Sequence, residues 1–443
     1  MTSASASEQV DCLIDARWVI PVDPDRVVLA DHCVAVRDGH IVAVLPSKAA
    51  GERFRAVQRF ALPDHALIPG LINLHTHAAT ILLRGIARGH HLTGRQSECV
   101  GHADSRQASP GFVHDGTLLA CAEMLRSGIT CFNDTVLYPE ASARAAIASG
   151  MRAAIGIIAG DFPTPYAADA DDYLAKGLAV RDALRENPLL SFCMAPQTSH
   201  AVGNATFARI LTMAAETDLP IHLHLHESLD EIAKSVSQFR LRPIERLRSL
   251  GILGARLIAA HAVHVSAEEL DLLARFGCSV AHCPSSNMKL VRGFAPLAGM
   301  ISRGINVGLG SGGAPGNDRL DIFQEMRNAA LLAGAISGDP ESMPAHLALR
   351  AATLNAAQAL GIELETGSIS PGKAADLCAV AFDAPWMTPC SDPISQLVFA
   401  ADRENVSHVW VAGRLAVEDR RLAGIEMAYL DNLARLWQNN LSV

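Results

Sequence analysis

The 443-residue chain has no stretch in which lysine and arginine cluster, and its 37 basic against 46 acidic residues give a formal charge of -9 at pH 7. A nucleic-acid backbone would find no basic surface to neutralise its phosphates, so nucleic acid is excluded as a partner and a small neutral or cationic molecule is favoured. No apolar run reaches the length of a bilayer span, which argues against a membrane partner. The opening "MTSASASEQVDCLID" lacks a basic segment followed by an apolar one, so no secretory leader is expected and the protein reads as cytoplasmic. Ten cysteines, scattered from Cys12 to Cys390, contain no CxxC pair, and most sit in apolar runs. They are expected to be buried reduced thiols, not a disulfide framework. No G-x-G-x-x-G follows an early strand, which removes the main signal for a dinucleotide-binding sheet. The four tryptophans, Trp18, Trp386, Trp410 and Trp437, all fall towards the two ends of the chain.

What is present is a chain with 49% hydrophobic and 19% charged residues, enough to bury a large core. Both ends alternate like antiparallel strands, as in "VVLADHCVAVRDGHIVAVLP" and "VSHVWVAGRLAVEDRRL", and an amphipathic helix is expected around "MAYLDNLARLWQNNL". The middle alternates buried strands with helices eight times, beginning at "LINLHTH" and ending at "INVGLGS". Strict β/α alternation predicts a parallel sheet, and eight repeats predict a closed barrel. The expected fold is α/β: a (β/α)8 barrel over residues 69–366, with a composite β-sandwich and C-terminal helix built from 1–68 together with 367–443.

Histidines gather just after the strands, where the C-terminal face of such a barrel lies. His75 and His77 form an H-x-H pair whose side chains project to the same side of an extended segment, so both can bind one metal ion. Strand five ends in "HLHLHE", strand six at His261 and strand seven at His282. A lone histidine after a strand is usually a structural hydrogen-bonder; four barrel strands ending this way point to a metal centre.

The segments "LIPGLINLHTH", "LPIHLHLHES", "LIAAHAV", "VAHCPSSNMKL" and "GSISPGKAADL" make the chain similar to the amidohydrolase superfamily, in its deaminase and chlorohydrolase branch. Within that branch it resembles the 5'-methylthioadenosine/S-adenosylhomocysteine deaminases over nearly its full length. The resemblance implies one divalent ion, Zn2+ or Fe2+, held by His75, His77 and His224, with Glu227 as proton shuttle and His261 at the reacting water. The ion would acidify water to a hydroxide that attacks a ring carbon bearing an amino group, and ammonia would leave. It also implies a small heterocyclic substrate and a homodimer or larger assembly. Strand four, "LLSFCMAP", offers no lysine for a bridging carbamate, in keeping with one ion. His222 and His226 are expected to point into another layer or to stand behind the ligands.

Three stretches depart from that family's pattern. In "GLGSGGAPGND", Gly312 stands where the family carries a metal-side aspartate; Asp318 and Asp321 are expected to cap or enter the next helix. Residues 87 to 109 lack the Trp- and acid-containing lid, leaving a loop in which Cys99 and His102 are a weak metal pair. After strand four, Gln197 replaces a substrate-facing histidine and His200 stands where an aromatic is common. Arg84, Gln197, His200 and His282 are candidate substrate contacts. The expected function is metal-dependent hydrolytic deamination of an aminated heterocycle: a purine nucleoside like those named above, or a purine, pterin or triazine. The alternative is a catalytically impaired or repurposed homologue.

Overall fold

The computed structural model describes residues 7–85 and 108–441. Cys99, His102 and most of the expected lid therefore lie outside the described residues.

Strands β1 (Glu8–Val19), β2 (Leu29–Arg37), β3 (His40–Pro46) and β4 (Phe54–Pro69) open the chain. The barrel strands follow: β5 (Leu71–His77), β6 (Ile129–Asp134), β7 (Arg152–Ala159), β8 (Leu190–Pro196), β9 (Ile221–Leu225), β10 (Leu257–His261), β11 (Ser279–His282), β12 (Asn306–Leu309) and β13 (Gly312–Gly313). Strands β14 (Leu377–Ala381), β15 (Val406–Val411), β16 (Arg414–Glu418) and β17 (Arg421–Leu422) close it.

The two ends of the chain form one eight-stranded sheet in the order β17-β16-β15-β14-β4-β1-β2-β3. Antiparallel pairing of β4 with β14, through Leu67 opposite Ala379, joins them. Val36 of β2 and Trp410 of β15 share one buried apolar cluster although they are far apart in the strand order, so the sheet folds over as the two layers of a sandwich.

The barrel strands are parallel and read as nearly unbroken buried runs, as strands covered on both faces must. Their ring closes in an unusual way. Strand eight is interrupted: β12 pairs with β11, and two residues later β13 pairs with β5, Gly312 opposite Thr76 and Gly313 opposite His77. A Cβ on Gly310 would lie 2.8 Å from that of His75, so only glycine lets the two backbones approach this closely. Inside the barrel, Ile72, Leu74, Cys131, Ile258 and Ala281 pack on the helix Leu354–Leu360, which plugs the N-terminal end and leaves polar chemistry to the other.

The C-terminal helix, Met427–Leu441, packs on the barrel helix Pro110–Arg126. Trp437 stands edge-on to Phe112 with ring centroids 5.4 Å apart and donates Nε1–H to Asp115 at 2.9 Å. The nine described cysteines are all free, and eight are buried, as expected. Among the described residues no helix is long and apolar enough to cross a membrane.

Candidate metal centre and active site

The C-terminal end of β5 delivers His75 and His77 to the same side, two residues apart, and β9 brings His224 across the barrel to meet them. One donor atom from each of the three lies within 4.8 Å of the others. The ring of His77 is anchored from behind, its Nδ1–H donating to the Thr135 carbonyl at 2.7 Å. His224 Nδ1–H is directed at the Gln197 carbonyl at 3.4 Å. With both protons held on the outer nitrogens, the two Nε2 lone pairs face each other at 3.2 Å. Two nitrogens bound to one tetrahedral zinc at about 2.0–2.1 Å stand roughly 3.3 Å apart, so this spacing is that of a ligand pair. His75 is hydrogen-bonded through Nδ1 to His222 at 3.1 Å, and its buried Nε2 has no protein partner. An orphaned buried nitrogen beside two facing lone pairs fits a divalent cation.

Burial keeps these imidazoles neutral, as ligands must be. His77 is held down at about 4 by burial, reinforced by the charge of His224; His75 falls well below its ordinary value for the same reasons, and burial also lowers His224.

His261, at the end of β10, donates Nδ1–H to Asn287 Oδ1 at 2.8 Å, which turns its Nε2 edge toward the histidine cluster. Glu227, in the turn after β9, shares a second donor group with His224 and His261. Burial alone would push its carboxyl up, but the facing His261, His224 and Arg292 outweigh that and hold it at about 2. Arg292 Nε–H donates to Glu227 Oε1 at 3.1 Å, and Glu227 N–H donates to Glu231 Oε2 at 2.9 Å. Glu231 also accepts from Ser199 Oγ at 2.7 Å, tying Glu227 to the loop after strand four.

These groups open into a cavity of about 740 Å3. Gln197 and His200 line it, together with Phe112, Leu137, Ile158 and Phe162. Two of the expected substrate contacts, Arg84 and His282, are not among the described residues that line it. Arg84 is turned away, its guanidinium paired with Glu123 at 2.5 Å, and it does not line the cavity. His282 is buried behind the wall; the next residue, Cys283, is the one that shares a donor group with His75 and His261. His222 stands behind His75 and bonds to Asn133 at 3.1 Å, while His226 faces away to the His264 carbonyl at 3.0 Å.

At the strand-eight position Gly312 presents backbone only, with φ +65°, and an added Cβ would meet Ser286 Oγ at 3.2 Å. Asp321 caps the helix Ile322–Ser337 by accepting from Gln324 N–H, and Asp318 pairs with Lys289, so neither supplies the missing carboxylate. No spacing in the sequence marks Arg292, Glu231 or Thr135 as functional positions, whereas Asn287 lies in the segment "VAHCPSSNMKL".

The amidohydrolase family model matches residues 66–416. The chain is 38% identical to a 5-methylthioadenosine/S-adenosylhomocysteine deaminase of Teredinibacter turnerae over 98% of each chain. It is also 38% identical to the protein of the same name from Syntrophobacter fumaroxidans, over 94% of this chain and 95% of that one. Among solved structures, an adenosine deaminase from Xanthomonas campestris with bound zinc superposes with a TM-score of 0.96 at 41% identity, covering 98% of this chain and 99% of that one. The atrazine chlorohydrolase of Arthrobacter aurescens, at 24% identity, 96% and 99% coverage and a TM-score of 0.85, shares the fold. Nothing in these likenesses favours an impaired homologue. The chain belongs to the amidohydrolase family, as a hydrolytic aminohydrolase of its deaminase branch.

Proposed function

We propose that this enzyme deaminates an aminated purine nucleoside of the 5'-methylthioadenosine or S-adenosylhomocysteine kind, using one zinc ion held by His75, His77 and His224. The observation that carries the reading is the 3.2 Å approach of the His77 and His224 Nε2 atoms, each with its proton held on the far side of the ring. The names of the relatives and the zinc in the Xanthomonas campestris structure support the substrate class and the ion. When bound, such an ion supplies a water acidic enough to act as nucleophile near neutral pH.

The protein's own residues do the rest. His261, fixed by Asn287, orients that water through its inward nitrogen. Glu227 starts as a carboxylate, accepts the water's proton and hands it to the ring nitrogen next to the carbon under attack. Because Gly312 brings no second carboxylate, Glu227 also moves the second proton, from the hydroxyl left on the attacked carbon to its amino group, which departs as ammonia and leaves a carbonyl. Gln197 and His200 meet the substrate beyond the reacting carbon, and the apolar wall from Phe112 to Phe162 excludes water. A homodimer or larger assembly is the expected form.

The test pairs metal analysis of the purified protein with ammonia release from methylthioadenosine, S-adenosylhomocysteine and a panel of purines, pterins and triazines. Bound zinc with turnover of a nucleoside supports the reading; a metal-free protein silent on the whole panel defeats it.

A further inference from the structure

Three donor groups crowd the floor of the cavity, and they overlap: His75 with His77 and His224, His224 with Glu227 and His261, and His75 with His261 and Cys283. The second group poses a problem for proton transfer. Zinc accepts carboxylate oxygen as well as imidazole nitrogen, and Glu227 has a donor atom within 4.8 Å of those of the ligand His224 and of His261. A carboxylate bound to the ion gives up electron density to it and becomes a much weaker base, poorly suited to carrying a proton. Gly312 sharpens the competition, because strand eight offers no carboxylate to complete the coordination shell.

Arg292 is placed to settle it. Its Nε–H donates to Glu227 Oε1 at 3.1 Å, with the two side chains only 18% and 22% exposed. Its backbone is fixed where it matters, since Arg292 N–H donates to the Asn287 carbonyl at 2.8 Å and the Asn287 side chain holds His261. From the other side, the Glu231 carboxylate holds the backbone N–H of Glu227. The shuttle is therefore gripped by side chain and backbone at once.

We infer that Arg292 is a positioning residue that keeps Glu227 out of the coordination shell of the ion held by His75, His77 and His224, preserving its carboxylate for proton transfer. The kinetic half of this inference rests on the deaminase reading; the coordination half does not.

The experiment compares wild type, Arg292→Lys and Arg292→Met, each loaded with cobalt(II). In Arg292→Met, Glu227 enters the shell: the visible absorption bands weaken as the coordination number rises, and release of the ion to a chelator slows by about tenfold or more. Adding Glu227→Gln to Arg292→Met returns the wild-type spectrum. Arg292→Lys, which keeps a charge but loses the planar fork, falls between. With substrate, kcat of Arg292→Met drops roughly 10²-fold or more while KM moves little, and free guanidinium restores part of it. An Arg292→Met protein with the wild-type cobalt spectrum and wild-type chelator release overturns the inference. A wild type that deaminates nothing would sink the deaminase reading and leave the cobalt comparison to decide on Arg292.

Discussion

His77 and His224 come from the first and fifth strands of the barrel, yet their rings stack within 8° of parallel with Nε2 atoms 3.2 Å apart. Nothing in either strand alone requires this; each ring is set by a carbonyl behind it, Thr135 for one and Gln197 for the other. Replacing either histidine with alanine removes a donor that the other two cannot replace. Zinc content after a chelator wash should fall from about one ion per chain to under roughly one tenth. Full retention of zinc by His224→Ala would remove that residue from the ligand set.

Glu227→Gln keeps the shape of the side chain and abolishes its charge. Turnover should fall by about 10²- to 10⁴-fold with zinc content unchanged. Equal loss of metal and activity would instead make Glu227 a ligand.

Acid stability offers a test away from the ligands. Burial lowers His282 to about 4, with the charge of His261 adding to the effect. Its folded value lies below the ordinary 6.5, so the stability it contributes is present above pH 6.5 and lost as pH falls through 4. Glu325, pushed up to about 7 by burial, has the opposite sign: its contribution is present below pH 4.5 and lost as pH rises through 7. The two overlap in a raw profile, so the informative quantity is wild type minus His282→Asn. Urea unfolding of metal-free protein should show that difference shrinking towards acid, with a slope of up to about 1.4 kcal/mol per pH unit. A flat difference would mean that His282 titrates normally in the fold.

Gly312→Ala places a Cβ at φ +65° and 3.2 Å from Ser286 Oγ. The expected cost is about 1–2 kcal/mol, read as a lower midpoint of thermal unfolding. Gly312→Asp should show the same penalty, slightly relieved because aspartate tolerates left-handed backbone better than alanine. A variant as stable as wild type would show that the seam relaxes freely.

The barrel was legible because its strands are continuous apolar runs of four to eight residues separated by helical periodicity, and because H-x-H and H-x-x-E carry their geometry in their spacing. Other features depended on distant partners. Arg84 reads in the sequence as a candidate substrate contact, but Glu123, 39 residues away, holds its guanidinium. His282 and Cys283 show how a two-residue period can mislead at a strand end: a shift of one residue exchanges the group behind the wall for the group whose donor atom lies near those of His75 and His261. Arg292 lies in "LVRGF", a stretch with no periodic signature, and its meaning comes only from Glu227, 65 residues earlier. The left-handed backbone at Gly312 is equally invisible, since a glycine in sequence does not disclose its φ.

The interrupted eighth strand has one further consequence. Gly312 and Gly313 are hydrogen-bonded neighbours of Thr76 and His77, so the rim of the reaction chamber is also the stitch that holds the cylinder shut. Architecture and chemistry meet there in two residues without side chains. Substitutions at this seam should therefore move thermal midpoint and metal retention together, along one line, whereas changes at Gln197 or His200 should leave the midpoint in place and alter only which molecule is accepted.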